Sequence, residues 1–138
     1  VPAGKKLVIE LKCGIEVLPF LKKVVEQSGK QQQCLFIAFD WKTIVETKKQ
    51  FPHNACYWLS SKKEGLSEKM REAKAVGLDG LDLGYKAIDE QVMQQAKELG
   101  LEILAWTVDA PSEAKRLIEL GVKGITTNRP SWLKENIH

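Results

Sequence analysis

The chain has 138 residues, of which 43% are hydrophobic and 28% charged, with a formal net charge of +3. That length suits one folding domain with a sizeable core, and no low-complexity tract interrupts it. The densest basic runs, Lys22-Lys23 and Lys62-Lys63, are short and lack interleaved aromatics, so no nucleic-acid surface is expected.

Val1-Pro2-Ala3-Gly4 has no initiator methionine and reads as loop before a strand, so the chain is expected to begin partway through a longer fold. The first strand spans 7–12. Along it Leu7, Ile9 and Leu11 share one face, while Glu10 and Lys12 share the other, roughly 7 Å apart. Such a charged pair near the C-terminal end of an apolar strand is odd for plain core, and that end is where parallel α/β proteins build active sites. An internal salt bridge is the competing reading. A helical stripe follows at Val17, Leu18, Leu21, Val24 and Val25. Further strands are read at 34–40, 54–60, 78–84, 101–108 and 122–128. Most are short apolar runs, as expected where both faces of a sheet are covered.

Between them, Val92, Met93, Ala96 and Leu99 form one helical stripe, and Ala114, Leu117, Ile118 and Gly121 another. Asp89 and the Asp109-x-Pro111 pair serve as helix-start signals, and Asp40 as a possible helix cap. Gly29, Gly77, Gly100 and Gly121 each follow a helical stripe, as a left-handed closing residue would. The last three are 23 and 21 residues apart, one strand–helix unit each, and the 48 residues from Gly29 to Gly77 hold two. Residues 60–66 are a polar loop.

Strict alternation leaves an open doubly wound sheet or a (β/α)8 barrel. No glycine-rich phosphate fingerprint follows any strand, which weakens the dinucleotide form of the open sheet. Six units fall short of the eight that close a barrel. The expected fold is therefore α/β, a TIM (β/α)8 barrel of which residues 1–138 supply about six units. They would be the C-terminal portion of a single domain. No apolar stretch is long enough to span a bilayer, so no stable membrane insertion is expected. Cys13, Cys34 and Cys56 lack metal-site spacing and read as free thiols, with Cys13 a bystander. Trp41, Trp58 and Trp132 are assigned to packing, and Asp79 and Asp82 are not read as a paired metal site.

Four segments, in order, resemble the glycerophosphodiester phosphodiesterase family: Ile9-Glu10-Leu11-Lys12, Phe36-Ile37-Ala38-Phe39-Asp40, Leu104-Ala105-Trp106-Thr107-Val108-Asp109 and Gly124-Ile125-Thr126-Thr127-Asn128-Arg129-Pro130. The resemblance implies a TIM barrel that hydrolyses glycerophosphodiesters to glycerol 3-phosphate and an alcohol with a divalent ion, Ca²⁺ or Mg²⁺. It implies that Glu10 is a metal ligand and that Lys12 contacts the substrate phosphate and acts in catalysis. It also implies that Phe39 and Trp106 bind substrate, Trp106 beside the glycerol moiety. The family's acid–base histidines lie in segments that precede the strand holding Glu10. The only histidines here are His53, in a turn entering a strand, and His138. Residues 1–138 alone are therefore expected to be catalytically incomplete, with the N-terminal part of the same barrel as partner. Unpaired strand edges would otherwise drive aggregation or a homo-oligomer. The alternative is a non-catalytic barrel remnant that binds phosphate or a protein. Ala38 and Asn128 stand where the family often has Ser and Asp.

Overall fold

The computed structural model describes residues 4–137; Val1, Pro2, Ala3 and His138 lie outside them. The strands are β1 (Leu7–Glu10), β2 (Cys34–Ala38), β3 (Cys56–Ser60), β4 (Gly80–Gly84), β5 (Glu102–Trp106) and β6 (Gly124–Ile125). The helices are α1 (Leu18–Ser28), α2 (Trp41–Gln50), α3 (Leu66–Ala75), α4 (Glu90–Leu99), α5 (Pro111–Leu120) and α6 (Pro130–Asn136). The six strands form one sheet in the order β1-β2-β3-β4-β5-β6, every pair parallel.

That order separates the two architectures left open by the alternation. A doubly wound sheet reverses its strand order at a switch point and so places helices on both faces. Here the order never reverses. Because parallel crossovers keep one hand, successive helices land on the same side. The fold is α/β, six consecutive units of a TIM barrel.

Each helix starts and stops where local chemistry allows. Asp40 and Asp89 accept the backbone N–H groups of Thr43 and Val92, both at 2.9 Å, which satisfies otherwise orphaned donors. The four helix-ending glycines adopt φ of +67°, +83°, +71° and +97° in chain order, where a side chain would be strained. Asp109 does not start a helix. Ala110 takes the cap position of α5 without a side-chain bond, and the Asp109 carboxylate reaches instead to the loop after β6.

Outward-facing Phe36, Ala38, Leu81, Leu83, Ile103 and Ala105 pack with the helices in one buried cluster. Burial of each large side chain contributes about 1.5–3 kcal/mol. The inner face carries a second, smaller cluster of Ile37, Tyr57 and Leu59, joined by Leu104 and Trp106. The strands are shorter than the sequence runs, though single backbone bonds continue past their ends. The Leu11 N–H still reaches the Ile37 carbonyl at 2.8 Å. Leu7 is 43% exposed and Val8 53%, since β1 is a sheet edge with no strand on its other side. Val24 and Ile118, which the helical stripes would bury, are likewise exposed.

Candidate active site at the C-terminal ends of the strands

Ile9 and Leu11 join the helix-covered core, so Glu10, the last residue of β1, points to the inner face, and Lys12 follows two residues beyond the end of the strand. Both are exposed. They form no ion pair with one another, and among the described residues neither has a hydrogen-bond or salt-bridge partner. The internal salt bridge is therefore not made. An unpaired carboxylate and an unpaired ammonium at a strand's C-terminal end remain open to a ligand.

Phe39 follows β2, and Trp106 ends β5. Their rings meet edge-on with centroids 5.7 Å apart and planes at 85°. This arrangement sets a ring edge against a ring face. Trp106 is fixed by its indole N–H, which donates to the Asp82 carbonyl at 3.0 Å. Phe39 is fixed through its own carbonyl, which accepts from the Trp58 indole at 2.7 Å. Trp58 packs edge-on against Trp41 at 5.3 Å, beneath the Lys69 ammonium, which lies 4.1 Å from the Trp41 ring centre. Trp41 and Trp58 are packing residues, as expected, but Trp58 also holds the loop after β2. Trp132 is 38% exposed, stacked under Arg129 at 3.8 Å.

The sequence reading gave Asp82 no functional role. Gly80, Asp82 and Gly84 lie on the inner face of β4, because Leu81 and Leu83 face outward. Its carboxyl is buried, and Oδ1 has no hydrogen-bond partner. Burial raises its pKa to about 7, with the Glu10 charge a second cause. The readable signal was the alternation itself, which gives β4 an inner face of glycine, aspartate, glycine. A Cβ at Gly80 would sit 1.8 Å from the Glu102 carbonyl oxygen, so no side chain fits there.

Asp79 belongs to the opposite end of the sheet, unpaired with Asp82 as expected. Its Oδ2 accepts from Lys48 and from the Cys56 backbone N–H, both at 2.8 Å. Nearby the Tyr57 hydroxyl donates to Glu102 at 2.9 Å, and Glu102 pairs with Lys123. Burial, followed by the Glu102 hydrogen bond, raises the Tyr57 pKa. His53 sits in the turn before β3, among Gln31, Gln32 and Asn54, far along the strands from Lys12. His138 lies outside the described residues. All three cysteines are free. Burial pushes the Cys56 thiol up to about 12, which makes it a packing group rather than a nucleophile.

Carboxylate oxygens suit hard divalent cations, which take six or more ligands. The inner face offers Glu10 and Asp82, and among the described residues no three His, Cys, Asp or Glu gather into a metal-holding group. The donor chemistry fits; the number of ligands does not complete a shell.

The sequence model of the glycerophosphoryl diester phosphodiesterase family matches residues 5–131. The chain belongs to that family. A glycerophosphodiester phosphodiesterase of Caldanaerobacter subterraneus subsp. tengcongensis is 27% identical over 129 residues, covering 91% of this chain and 52% of the relative. The crystal structure of a glycerophosphodiester phosphodiesterase from Parabacteroides distasonis superposes with a TM-score of 0.82 at 24% identity, covering 96% of this chain and 57% of that one. A phosphodiesterase from Oleispira antarctica, solved with the product sn-glycerol 3-phosphate, superposes with a TM-score of 0.74 at 22% identity, covering 96% and 55%. The chain thus spans about half the length of these relatives.

Proposed function

We propose that this family member serves the hydrolysis of glycerophosphodiesters to glycerol 3-phosphate and an alcohol, and that residues 1–138 form the C-terminal portion of the catalytic barrel. The observation that carries the reading is the unpaired Glu10 at the end of β1 and Lys12 two residues beyond it, at the same end of the sheet as the Phe39–Trp106 ring pair. Lys12 binds the substrate phosphate, where a fixed ammonium stabilises charge building on the phosphoryl oxygens. Trp106 and Phe39 offer an apolar surface to the glycerol carbons. Glu10 would hold a divalent ion, Ca²⁺ or Mg²⁺, with the remaining ligands supplied from outside the described residues. Such an ion supplies Lewis acidity toward a phosphoryl oxygen when bound.

His53, at the opposite end of the sheet, cannot reach that site. Proton transfer is therefore assigned to groups in the N-terminal part of the same barrel, the partner that covers the β1 and β6 edges. Without it, the exposed Leu7 and Val8 favour self-association, which sedimentation of the 138-residue polypeptide would report. No helix among the described residues is long and apolar enough to cross a membrane.

The test is release of glycerol 3-phosphate from glycerophosphocholine, with Ca²⁺ or Mg²⁺ and with chelator. Residues 1–138 alone should show none. The barrel extended by its N-terminal units should show chelator-sensitive release that Lys12→Ala abolishes. Phosphate binding without turnover in the extended barrel would favour the alternative, a non-catalytic phosphate-binding remnant. The placement of His53 favours that alternative for the isolated chain.

A further inference from the structure

The inner face of β4 carries a single functional group. Asp82 stands between Gly80 and Gly84, two residues without side chains, and its ladder neighbours are Leu59 on β3 and Leu104 on β5. Both leucines line the inner face. Asp82 is 2% exposed, and its Oδ1 is the one buried side-chain oxygen or nitrogen among the described residues without a hydrogen-bond partner. A buried carboxyl oxygen left unpaired is costly. An apolar residue of similar volume would remove that cost, so stability alone does not account for an aspartate here.

The surroundings say what would complete it. Trp106 donates to the backbone carbonyl of this same residue, so the indole and the free carboxyl oxygen are held by one position of one strand. Gly84 lets its neighbours pack close on that side, since a Cβ there would come within 3.3 Å of the Ser61 Cα and 3.9 Å of the Trp106 ring. The Glu10 charge acts on the same carboxyl, which disfavours a second anion beside it and leaves a phosphate to Lys12. A neutral donor suits the free carboxyl oxygen. We propose that Asp82 is a substrate-positioning residue whose Oδ1 takes a hydrogen bond from a hydroxyl of a phosphorylated polyol. This rests on the reading that Lys12 binds phosphate and Trp106 packs beside the polyol carbons. The phosphate end and the hydroxyl end of one ligand are then read from different places on the sheet, by Lys12 just after β1 and by Asp82 on β4.

Calorimetric titration of the protein with three probes tests this: inorganic phosphate, sn-glycerol 3-phosphate, and 3-hydroxypropyl phosphate, which lacks the middle hydroxyl. The unsubstituted protein should prefer glycerol 3-phosphate over its deoxy analogue by about tenfold, the scale of one hydrogen bond to a buried carboxyl. Asp82→Leu should erase that preference, leave inorganic phosphate affinity unchanged and raise the thermal midpoint. Asp82→Asn, which keeps an oxygen acceptor and the side-chain shape, should retain part of the preference and controls for folding. An unchanged preference in Asp82→Leu overturns the proposal while Lys12 keeps its phosphate role. Loss of Ca²⁺ binding in Asp82→Asn with the polyol preference intact would instead make the residue a cation ligand, and the proposal falls. Absence of phosphate binding that responds to Lys12→Ala removes the underlying reading, and this inference with it.

Discussion

The indole N–H of Trp106 is joined to the backbone carbonyl of Asp82 at 3.0 Å, which ties the last residue of β5 to the middle of β4 beside a buried free carboxyl. Trp106→Phe keeps an aromatic ring but removes that donor from the Asp82 carbonyl. A stability loss of about 1 kcal/mol is expected from the hydrogen bond. The larger effect should be on the ligand side, because the ring that Phe39 meets edge-on is no longer fixed. Titration with sn-glycerol 3-phosphate should show affinity falling several-fold while inorganic phosphate binding is unchanged. Equal losses for both probes would remove Trp106 from glycerol recognition.

Asp82 also gives the protein a pH dependence of definite sign. Burial first, and then Glu10, raise its folded pKa from 3.8 to about 7. Between those values the folded state binds the proton and the unfolded state does not, so folding stability contributed by this group is complete below 3.8 and is lost as pH rises through about 7. The full shift corresponds to the order of 4 kcal/mol. Other carboxylates run the opposite way, so the informative quantity is a difference. Asp82→Asn should gain urea-unfolding stability over the unsubstituted protein as pH rises from 4 to 8, with little difference at pH 4. Parallel pH profiles for the two proteins would contradict a buried, raised carboxyl.

Much of this arrangement is legible in the residues, and the parts that are not share a cause. Strand and helix order, helix-ending glycines and the two faces of β1 are local properties, set by alternation and backbone preference. The pairing of Phe39 with Trp106 follows once both are placed at strand C-termini. What local pattern cannot supply is a contact made across the sheet. Asp109 looks like a helix start because Pro111 follows it, yet its carboxylate bonds to a loop 18 and 19 residues away. Val24 and Ile118 sit on correct helical stripes but remain exposed. Asp82 hides inside Gly-Leu-Asp-Leu-Gly, where its isolation shows only after the inner face is identified.

Asp79 holds the other end of the sheet together. One oxygen accepts from both Lys48 and the Cys56 backbone N–H, and the Lys48 side chain, 16% exposed, also donates to the Asn54 carbonyl at 2.8 Å. Removing the carboxylate leaves a largely buried ammonium and a backbone donor short of partners. Asp79→Ala should cost about 3 kcal/mol in urea unfolding, whereas phosphate binding at the far end of the strands should be unaffected. Asp79→Asn, which keeps an acceptor oxygen, should recover part of the loss. Full stability in Asp79→Ala would show that the Lys48 contact to Asn54 suffices.

One side chain clamps the loops after β5 and β6, which the Val108 N–H to Thr126 carbonyl bond also joins. Asp109 accepts from the Thr127 hydroxyl at 2.7 Å, from the Asn128 backbone N–H at 2.9 Å and from the Asn128 side-chain amide at 3.2 Å. The Thr127 hydroxyl, then the Asn128 backbone, hold its pKa below the ordinary carboxylate range. A lowered folded pKa means the clamp is in force above the unfolded carboxylate pKa and is lost as pH falls through the folded one. Since the side chain is solvated, its weight lies in loop geometry more than in global stability. Asp109→Ala should leave the thermal midpoint nearly unchanged while amide exchange at Asn128 accelerates. The unsubstituted protein should show the same acceleration only on acidification, measured against an alanine-substituted reference that lacks it. Protection at Asn128 that persists in Asp109→Ala would place the restraint in the backbone bond from Val108 to Thr126 instead.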